Sequence, residues 1–291
     1  MKDVIVGIGE ILWDVFPQGK VLGGAPANFA YHVSQFGLNG YAVSAIGKDA
    51  DGNELVELLN DKQLRTHIEE VNFPTGTVQV TLSGKGIPHY EICEGVAWDN
   101  IPFTDELRSL AQRTKTVCFG SLAQRSAVSY TTINRFLEEV PEGAMKIFDI
   151  NLRQSFYTRE LIETSLQKCN VLKINDDEVK LVAILFGWDD HSEIEVARRL
   201  IKSYALDILV LTKGTEGSYV FTATDTSYLP TPCVEVADTV GAGDSFTAGF
   251  VASLLQGKSI TEAHQKAVDV SAFVCTQRGA MPVLPASLIN D

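Results

Sequence analysis

The sequence has few of the features typical of disulfide-rich, membrane or nucleic-acid-binding proteins. Its five cysteines include no C-x-x-C pair, so we expect neither a disulfide framework nor a cysteine-bound metal, and four of them lie in apolar runs typical of a core. No apolar run approaches the ~20 residues of a membrane helix. Lys2 and Asp3 lead straight into a strand-like segment, which argues against a signal peptide. We therefore expect a cytoplasmic protein.

Positive charge is also scarce. The 291 residues include 24 Lys and Arg against 37 Asp and Glu, a formal net charge of −13. Such a charge repels nucleic acid and anionic membranes, so an anionic ligand needs a local binding site with positive potential. We expect a small-molecule partner, with no nucleic acid and no membrane.

Short apolar runs rich in β-branched residues recur along the chain and alternate with segments of helical spacing. The runs span residues 4–9, 41–47, 116–120, 146–151, 171–175 and 207–214. Each is typical of a buried parallel strand, and residues 27–37 present one apolar helical face. The alternation predicts an α/β fold with a doubly wound, mostly parallel sheet flanked by helices, in a single domain spanning residues 1–291.

One region breaks this alternation and predicts a second, smaller sheet. Within residues 75–95, apolar and polar residues alternate before Gly84-Lys85-Gly86 turns the chain, which is typical of a hairpin with one apolar face. Residues 13–22 are expected to add another strand. We predict a small β-sheet lid with strands from about 13–22 and 73–98. An edge extension of the main sheet stays open as the alternative.

Polar side chains follow several of the predicted strands at the point where each strand ends. In an open parallel sheet, ligands bind beyond the carboxyl ends of the strands. One such residue would be an ordinary helix cap, but several strands ending this way favour a binding site. The residues are Glu10, Asp14, Asp149, Asn151, Arg153, Asn175, Glu178, Thr212, Lys213 and Gly214.

The stretch DTVGAGDSF, residues 238–246, has the form of a helix entrance. Residues 233–237 have the composition of a short strand, and helical spacing begins at Ala242 and stops at Gly257. The first amides of a helix are free and carry partial positive charge, and small residues let an anion approach them. We expect Gly241, Ala242 and Gly243 to form an anion hole.

Asp244 lies in the first turn of this helix. A carboxylate there stabilises the helix, but beside an anion hole it can also deprotonate an acceptor hydroxyl while the amides hold the developing charge. A second small-residue junction, GGAPANFA at residues 23–30, places Gly24 and Asn28 at another helix start. Its glycines expose backbone to a ligand, and the Asn28 amide suits sugar hydroxyls.

These two junctions, GGAPANFAYHVSQFG and DTVGAGDSF, resemble the signature regions of the PfkB carbohydrate kinases, the ribokinase-like family. Supporting stretches are DINLR (149–153), NDDE (175–178) and TKGTEG (212–217), and the resemblance covers essentially the whole chain. The early run GEILWDVFPQG is most similar to the fructokinase branch. The resemblance implies a ribokinase-like fold whose small sheet covers the sugar, an ATP- and Mg²⁺-dependent sugar kinase activity, and a homodimer, which is common among relatives.

The resemblance also implies a role for each matching residue. Asp244 is then the base, and the anion hole comprises Gly241, Ala242 and Gly243. The residues expected to bind substrate are Asp14, Gly24, Asn28 and Arg153. Those expected to line the nucleotide are Asn175, Thr212, Gly214 and Gly217. Glu178 and Asn175 would hold Mg²⁺ through water, and Asp238 and Val240 lie where many relatives bind K⁺, which stays open here.

The sugar itself is less firmly indicated than the reaction. Fructose, giving fructose 6-phosphate, is the first candidate. A 2-keto-3-deoxygluconate kinase is the alternative, in which Arg125 or Lys85 would bind the substrate carboxylate. A non-catalytic sugar-binding protein on the same fold is a further alternative. A dehydrogenase is disfavoured because Leu12 replaces the third small residue that a dinucleotide fingerprint needs after Gly7 and Gly9.

Overall fold

The computed structural model describes residues 3–82 and 88–290, and a nine-stranded sheet lies at the centre of this part of the chain. Across the sheet the order is β13 (Thr226–Leu229), β12 (Ser218–Phe221), β11 (Ile208–Thr212), β10 (Val171–Asn175), β9 (Met145–Asp149), β8 (Thr114–Phe119), β1 (Val4–Ile8), β4 (Asn39–Gly47) and β5 (Arg65–Val71). Neighbouring strands from β11 to β5 pair in parallel, and only β12 and β13 pair antiparallel. The prediction of a mostly parallel sheet is confirmed.

The direction in which the chain adds strands reverses at β1. From β1 the chain continues to β4 and β5 on one side, and it then returns to add β8, β9, β10 and β11 on the other side. The loops after β1 and β8 therefore diverge and leave a crevice at the carboxyl edge of the sheet. This edge is where the polar residues after the strands meet.

Helices cover both faces of the sheet. Side chains of β1 alternate between the faces: Val4, Val6 and Ile8 belong to one apolar cluster and Ile5 to the other. The first cluster packs against α3 (Asp105–Ala111), α4 (Ala127–Glu139), α5 (Arg159–Lys168), α6 (Asp176–Phe186) and α7 (Glu193–Tyr204). The opposite face packs against α1 (Ala25–Gln35), α2 (Ala50–Asp61), α8 (Ala242–Leu255) and α9 (Ile260–Cys275), with the short α10 (Ala286–Ile289) beside α9.

A second, smaller sheet stands apart from the main one in the described residues. Its order is β3 (Gly19–Gly23), β2 (Leu12–Phe16), β6 (Thr77–Leu82) and β7 (Pro88–Ile92). The strands β6 and β7 pair antiparallel as the alternating pattern predicts, and β2 pairs in parallel with β6. The edge-extension alternative is therefore wrong. The predicted turn at Gly84-Lys85-Gly86 lies outside the described residues.

Three expectations differ from the structure. Residues 13–22 form two strands, since the chain turns at Pro17 and Gln18, and Gly19, with a φ of 148°, begins the second strand. Residues 233–237 form no strand: all of them but Val234 are exposed, and Cys233, Val234 and Val236 line a pocket. Only Cys118 and Cys169 are fully buried, so the expected burial of four thiols is wrong. Within the described residues, no helix is both long and apolar enough to cross a membrane.

Candidate active site

Asp244 and Asn28 meet although they belong to different helices. Asp244 lies in the first turn of α8, and Asn28 lies in the first turn of α1. The Asn28 Nδ2 atom donates a hydrogen bond of 2.8 Å to Asp244 Oδ2. Burial and the nearby Asp149 carboxylate raise the pKa of Asp244 to about 6, although the Asn28 hydrogen bond acts in the opposite direction. A carboxylate with this pKa is ionised at neutral pH and is still basic enough to take a proton.

The entrance of α8 has the tight backbone that the glycines predict. Gly241 caps the helix with a φ of 78°, and a Cβ atom there would lie 2.7 Å from Ala280 Cβ. Asp238 stabilises the loop before it, because its carboxylate accepts hydrogen bonds from the backbone N–H groups of Val240 and Gly279. These contacts fix the α8 entrance. The Ala242 N–H group donates a 3.3 Å hydrogen bond to the Thr239 carbonyl, and the helix end as a whole favours an anion.

A buried lysine lies beside this helix end. The Nζ atom of Lys173, on β10, is 3.0 Å from Asp149 Oδ1, and both side chains are buried. A Cβ atom on Gly243 would lie 2.9 Å from the same Nζ atom. Burial alone would lower the pKa of Lys173, but the carboxylates of Asp149, Glu178 and Asp244 outweigh burial and raise it. The ammonium group therefore stays charged next to the predicted anion hole.

A pocket of about 520 Å³ opens on the other side of the α8 entrance. Thr212, Gly214 and Gly217, the predicted nucleotide residues from the end of β11, line it together with Ala242 and Gly243. Its remaining walls are mainly apolar and come from the 231–236 segment and from α8 and α9, including Phe246, Val268, Ala272 and Cys275. A mainly apolar cleft that ends at the N-terminus of a helix suits a nucleotide with its phosphates.

The predicted magnesium residues form a helix cap. Asn175 Oδ1 accepts a hydrogen bond from Glu178 N, and Glu178 Oε2 accepts one from Asn175 N. Glu178 Oε1 accepts a third from Leu152 N. Residues 3–82 and 88–290 contain no cluster of three His, Cys, Asp or Glu side chains able to hold a metal. This donor set suits Mg²⁺ bound through waters and phosphates, since Mg²⁺ retains several waters and takes few protein ligands.

The remaining predicted substrate residues lie towards the small sheet. Asp14 lies on β2, and burial raises its pKa while the charge of Arg153 opposes that shift. Gly24 has a φ of 123°, and a Cβ atom there would lie 2.6 Å from the Glu10 carbonyl oxygen. Arg153 is exposed and donates a hydrogen bond to the Leu152 carbonyl. The charge of Arg153 also lowers the pKa of Asp244, so Arg153 and Asp14 both face the same acidic crevice.

Arg125, a candidate for binding a substrate carboxylate, already has a carboxylate partner. Its Nε and Nη2 atoms lie 2.8 and 2.9 Å from the two oxygens of Asp99. The guanidinium group lies between the rings of Trp98 and Phe156, at 4.1 and 4.5 Å from their centroids. The remaining nitrogen, Nη1, has no partner within the described residues but is inaccessible to solvent, so a substrate carboxylate could reach it only after a local rearrangement, which speaks against that role. Lys85, the other candidate, lies outside the described residues.

Lys173 is the site residue that sequence reasoning missed. It sits in the middle of the apolar strand segment VLKIN, where a charged residue has to find a buried partner. That isolated lysine was the available signal, but only the parallel pairing of β9 and β10 brings it opposite Asp149. A charged residue within an apolar strand can be recognised from the sequence, whereas the identity of its partner depends on the order of the strands in the sheet.

Comparison with known proteins agrees with this arrangement. Residues 10–287 match the model of the pfkB family carbohydrate kinases. The chain is 28% identical to the ATP-dependent 6-phosphofructokinase of Thermoanaerobacterium thermosaccharolyticum, over 97% of this chain and 90% of the relative. It is 27% identical to Probable fructokinase-5 of Arabidopsis thaliana, over 97% and 94% of the two chains.

Among solved structures, the fructokinase of Xylella fastidiosa with bound ATP superimposes with a TM-score of 0.86. The identity is 21%, and the match covers 99% of this chain and 98% of that one. This likeness shows the ribokinase-like fold, with a large parallel sheet and a smaller separate sheet. Because the family model spans nearly all of the sequence, the chain belongs to the pfkB family of carbohydrate kinases.

Proposed function

We propose that the chain transfers the γ-phosphate of ATP to a hydroxyl of an unphosphorylated sugar, with fructose, giving fructose 6-phosphate, as the first candidate. One observation carries the proposal: the carboxylate of Asp244, held by Asn28, stands in the first turn of α8 beside a nucleotide-sized pocket. The base and the anion hole thus share one helix end, where a hydroxyl and a phosphoryl group could meet.

In this proposal, Asp244 takes the proton of the attacking hydroxyl. Its pKa of about 6 keeps it ionised at neutral pH, and the Asn28 amide fixes the direction of its side chain. Asn28 would also bind a sugar hydroxyl, together with Asp14, the Gly24 backbone and Arg153. Such positioning makes the hydroxyl a near neighbour of the phosphorus atom and lowers the entropic part of the barrier.

The charge that develops on the transferring phosphoryl group would be held by the α8 entrance. The backbone amides of Gly241, Ala242 and Gly243 would donate to its oxygens, and the Lys173 ammonium beside Gly243 would add a full positive charge. Both features are held by contacts within the protein: Gly241 caps the helix, and Asp149 pairs with the Lys173 ammonium.

The nucleotide would occupy the pocket lined by Thr212, Gly214 and Gly217. Mg²⁺, bound with ATP, would neutralise phosphate charge, and Asn175 and Glu178 would hold it through water. A monovalent cation would lie at the loop that Asp238 stabilises, with the carbonyl of Val240 among its ligands. These assignments rest on the position of the residues around the α8 entrance.

The charges of the crevice favour a neutral sugar. A phosphate or carboxylate on the substrate needs a dedicated cation. Of the described cations that face the crevice or lie on the small sheet, Arg125 pairs with Asp99, Lys173 with Asp149, and Lys20 with Asp51 and Glu54. Among these described cations Arg153 alone has no carboxylate partner, and because its side chain is exposed, water screens its attraction for an anionic group. Fructose is therefore favoured over 2-keto-3-deoxygluconate and over fructose 6-phosphate, the substrate that the phosphofructokinase relative suggests.

The small sheet would act as a lid of the single domain, because β2 carries Asp14 towards the crevice. In a homodimer, a second copy of the chain would cover the outer surface of the small sheet. A non-catalytic sugar-binding protein is disfavoured, since binding alone needs neither Asp244 nor the glycines at the helix entrance.

An ADP-release assay with ATP and Mg²⁺ tests the proposal directly. The panel is fructose, fructose 6-phosphate, 2-keto-3-deoxygluconate, ribose, glucose and adenosine, with Asp244→Asn as the inactive control. We expect turnover to be fastest on fructose. Preferential turnover of fructose 6-phosphate or the keto acid would overturn the neutral-sugar assignment. Folded protein that is inactive on the whole panel would count against the kinase proposal.

A further inference from the structure

One oxygen of the Glu10 carboxyl group has no described partner, although the residue is buried behind the candidate base. It follows β1 at the strand switch, and its residue is 4% exposed. The Oε2 atom is inaccessible to solvent and accepts or donates no hydrogen bond within the described residues. A buried polar atom without a partner is costly and calls for an explanation, such as a water or a proton.

A small cavity adjoins this orphaned carboxyl group. Its volume is about 10 Å³, which is room for roughly one water molecule. The polar residues that line it are Glu10, Asp149, Asn151, Asp244 and Thr247, and apolar walls come from Pro26, Phe29, Cys118 and Phe119. A water here could reach several carboxyl oxygens and satisfy the two to four hydrogen bonds that buried waters make.

The three carboxyl groups around the cavity differ in the partners that stabilise their negative charge. Asp149 has the Lys173 ammonium at 3.0 Å, and Asp244 has the Asn28 amide at 2.8 Å. Within the described residues, the carboxyl group of Glu10 has a hydrogen bond from its own backbone N–H but no ammonium or side-chain amide partner for Oε2, so it is the group best placed to carry a proton. The charged and titratable groups that act on it are Arg153, Asp244, Asp149 and Cys118, with Lys173 behind Asp149.

We propose that Glu10 is a positioning residue for Asp244: in its protonated form it holds one water in this cavity, which donates a hydrogen bond to the Asp244 carboxylate. The inference rests on the proposed kinase function, in which Asp244 is the base. Burial raises the pKa of Glu10 to about 7, so the group is protonated over the pH range in which Asp244 ionises. The water keeps the buried carboxylate partly solvated.

The test compares Glu10→Gln, Glu10→Leu and the exposed control Glu57→Gln over the pH range 5 to 9. Leucine would fill the cavity and expel the water, so the acidic limb of kcat/KM should move up by about one pH unit, as desolvation raises the pKa of the base. Glutamine keeps a neutral donor, so its acidic limb should stay with the wild type, whereas any alkaline limb due to ionisation of Glu10 should vanish. The control should match the wild type throughout.

A second readout is independent of activity. Infrared difference spectra of the wild type minus Glu10→Gln at pH 6 should show the carbonyl band of a protonated carboxylic acid. An absent band would overturn the inference, as would a leucine variant with the wild-type acidic limb. If Glu10→Leu does not fold, the infrared carbonyl band and the pH profile of kcat/KM for Glu10→Gln still test the inference. Failure of the wild type to phosphorylate any sugar would refute the proposed function instead, and the infrared result would still stand.

Discussion

Replacing Asp244 with asparagine should lower activity and raise stability at the same time. Asparagine has nearly the same shape and can still accept the Asn28 hydrogen bond, but it cannot take a proton. Loss of a general base typically costs about 10²–10⁴-fold in rate. We therefore expect kcat to fall at least ~100-fold, with ATP binding close to that of the wild type.

The gain in stability follows from the shifted pKa. Burial raises the pKa of Asp244 from 3.8 to about 6, so the native state binds this proton more tightly than the unfolded chain. The free energy of unfolding therefore falls as the pH rises from about 4 to about 6. Above about pH 6 the native state bears the full cost of keeping the buried Asp244 carboxylate ionised. At about 1.4 kcal/mol per pKa unit, the cost is about 3 kcal/mol at pH 8.

The asparagine variant lacks this cost. At pH 8 its melting temperature should exceed that of the wild type by on the order of 5 °C, and at pH 4 the two should converge. Differential scanning calorimetry at pH 8 and pH 4 tests the expected change in stability, and an ADP-release assay tests the expected loss of activity. Wild-type turnover in Asp244→Asn would remove Asp244 from the mechanism. A lower melting temperature at pH 8 would show that the carboxylate is stabilised, contrary to this reasoning.

Three further changes test other parts of the site. Gly243→Val would displace the Lys173 ammonium, because even a Cβ atom there lies 2.9 Å from Nζ; kcat/KM for ATP should fall at least ~10-fold, and unchanged kinetics would argue against an anion hole. Arg125→Met should cost about 3–5 kcal/mol in urea unfolding, since it leaves Asp99 buried without its ion pair, and adding Asp99→Asn should restore part of the loss. Excess EDTA should stop turnover and added Mg²⁺ should restore it; turnover in EDTA would exclude a need for the metal.

The sequence predicts what depends on local pattern. The parallel strands, the helix entrance at residues 241–244 and the position of Asn28 at the start of α1 follow from apolar runs, glycines and helical spacing. The short strand expected at residues 233–237 does not form: the segment borders the nucleotide-sized pocket, and the Ala237 N–H group at its end donates to the Cys275 carbonyl of α9 instead of to a strand.

Long-range pairing was beyond sequence reasoning. The contacts Lys173 to Asp149 and Arg125 to Asp99 join residues whose neighbourhood is set by the order of strands and loops. The cavity beside Glu10 likewise forms where the loop after β1 meets α1, β8, β9 and α8. Charged residues within apolar segments could be recognised one at a time, but the partner of each one could not.

The parallel pairing of β2 with β6 also bears on how the protein folds. Trp13 lies opposite Thr77, and the chain between them contains α1, β4, α2 and β5. Closing so long a loop is entropically costly until the intervening segment is compact. We therefore expect the small sheet to assemble late and to open by itself in the native state, with amide hydrogens in β6 and β7 exchanging before those of β1 and β8.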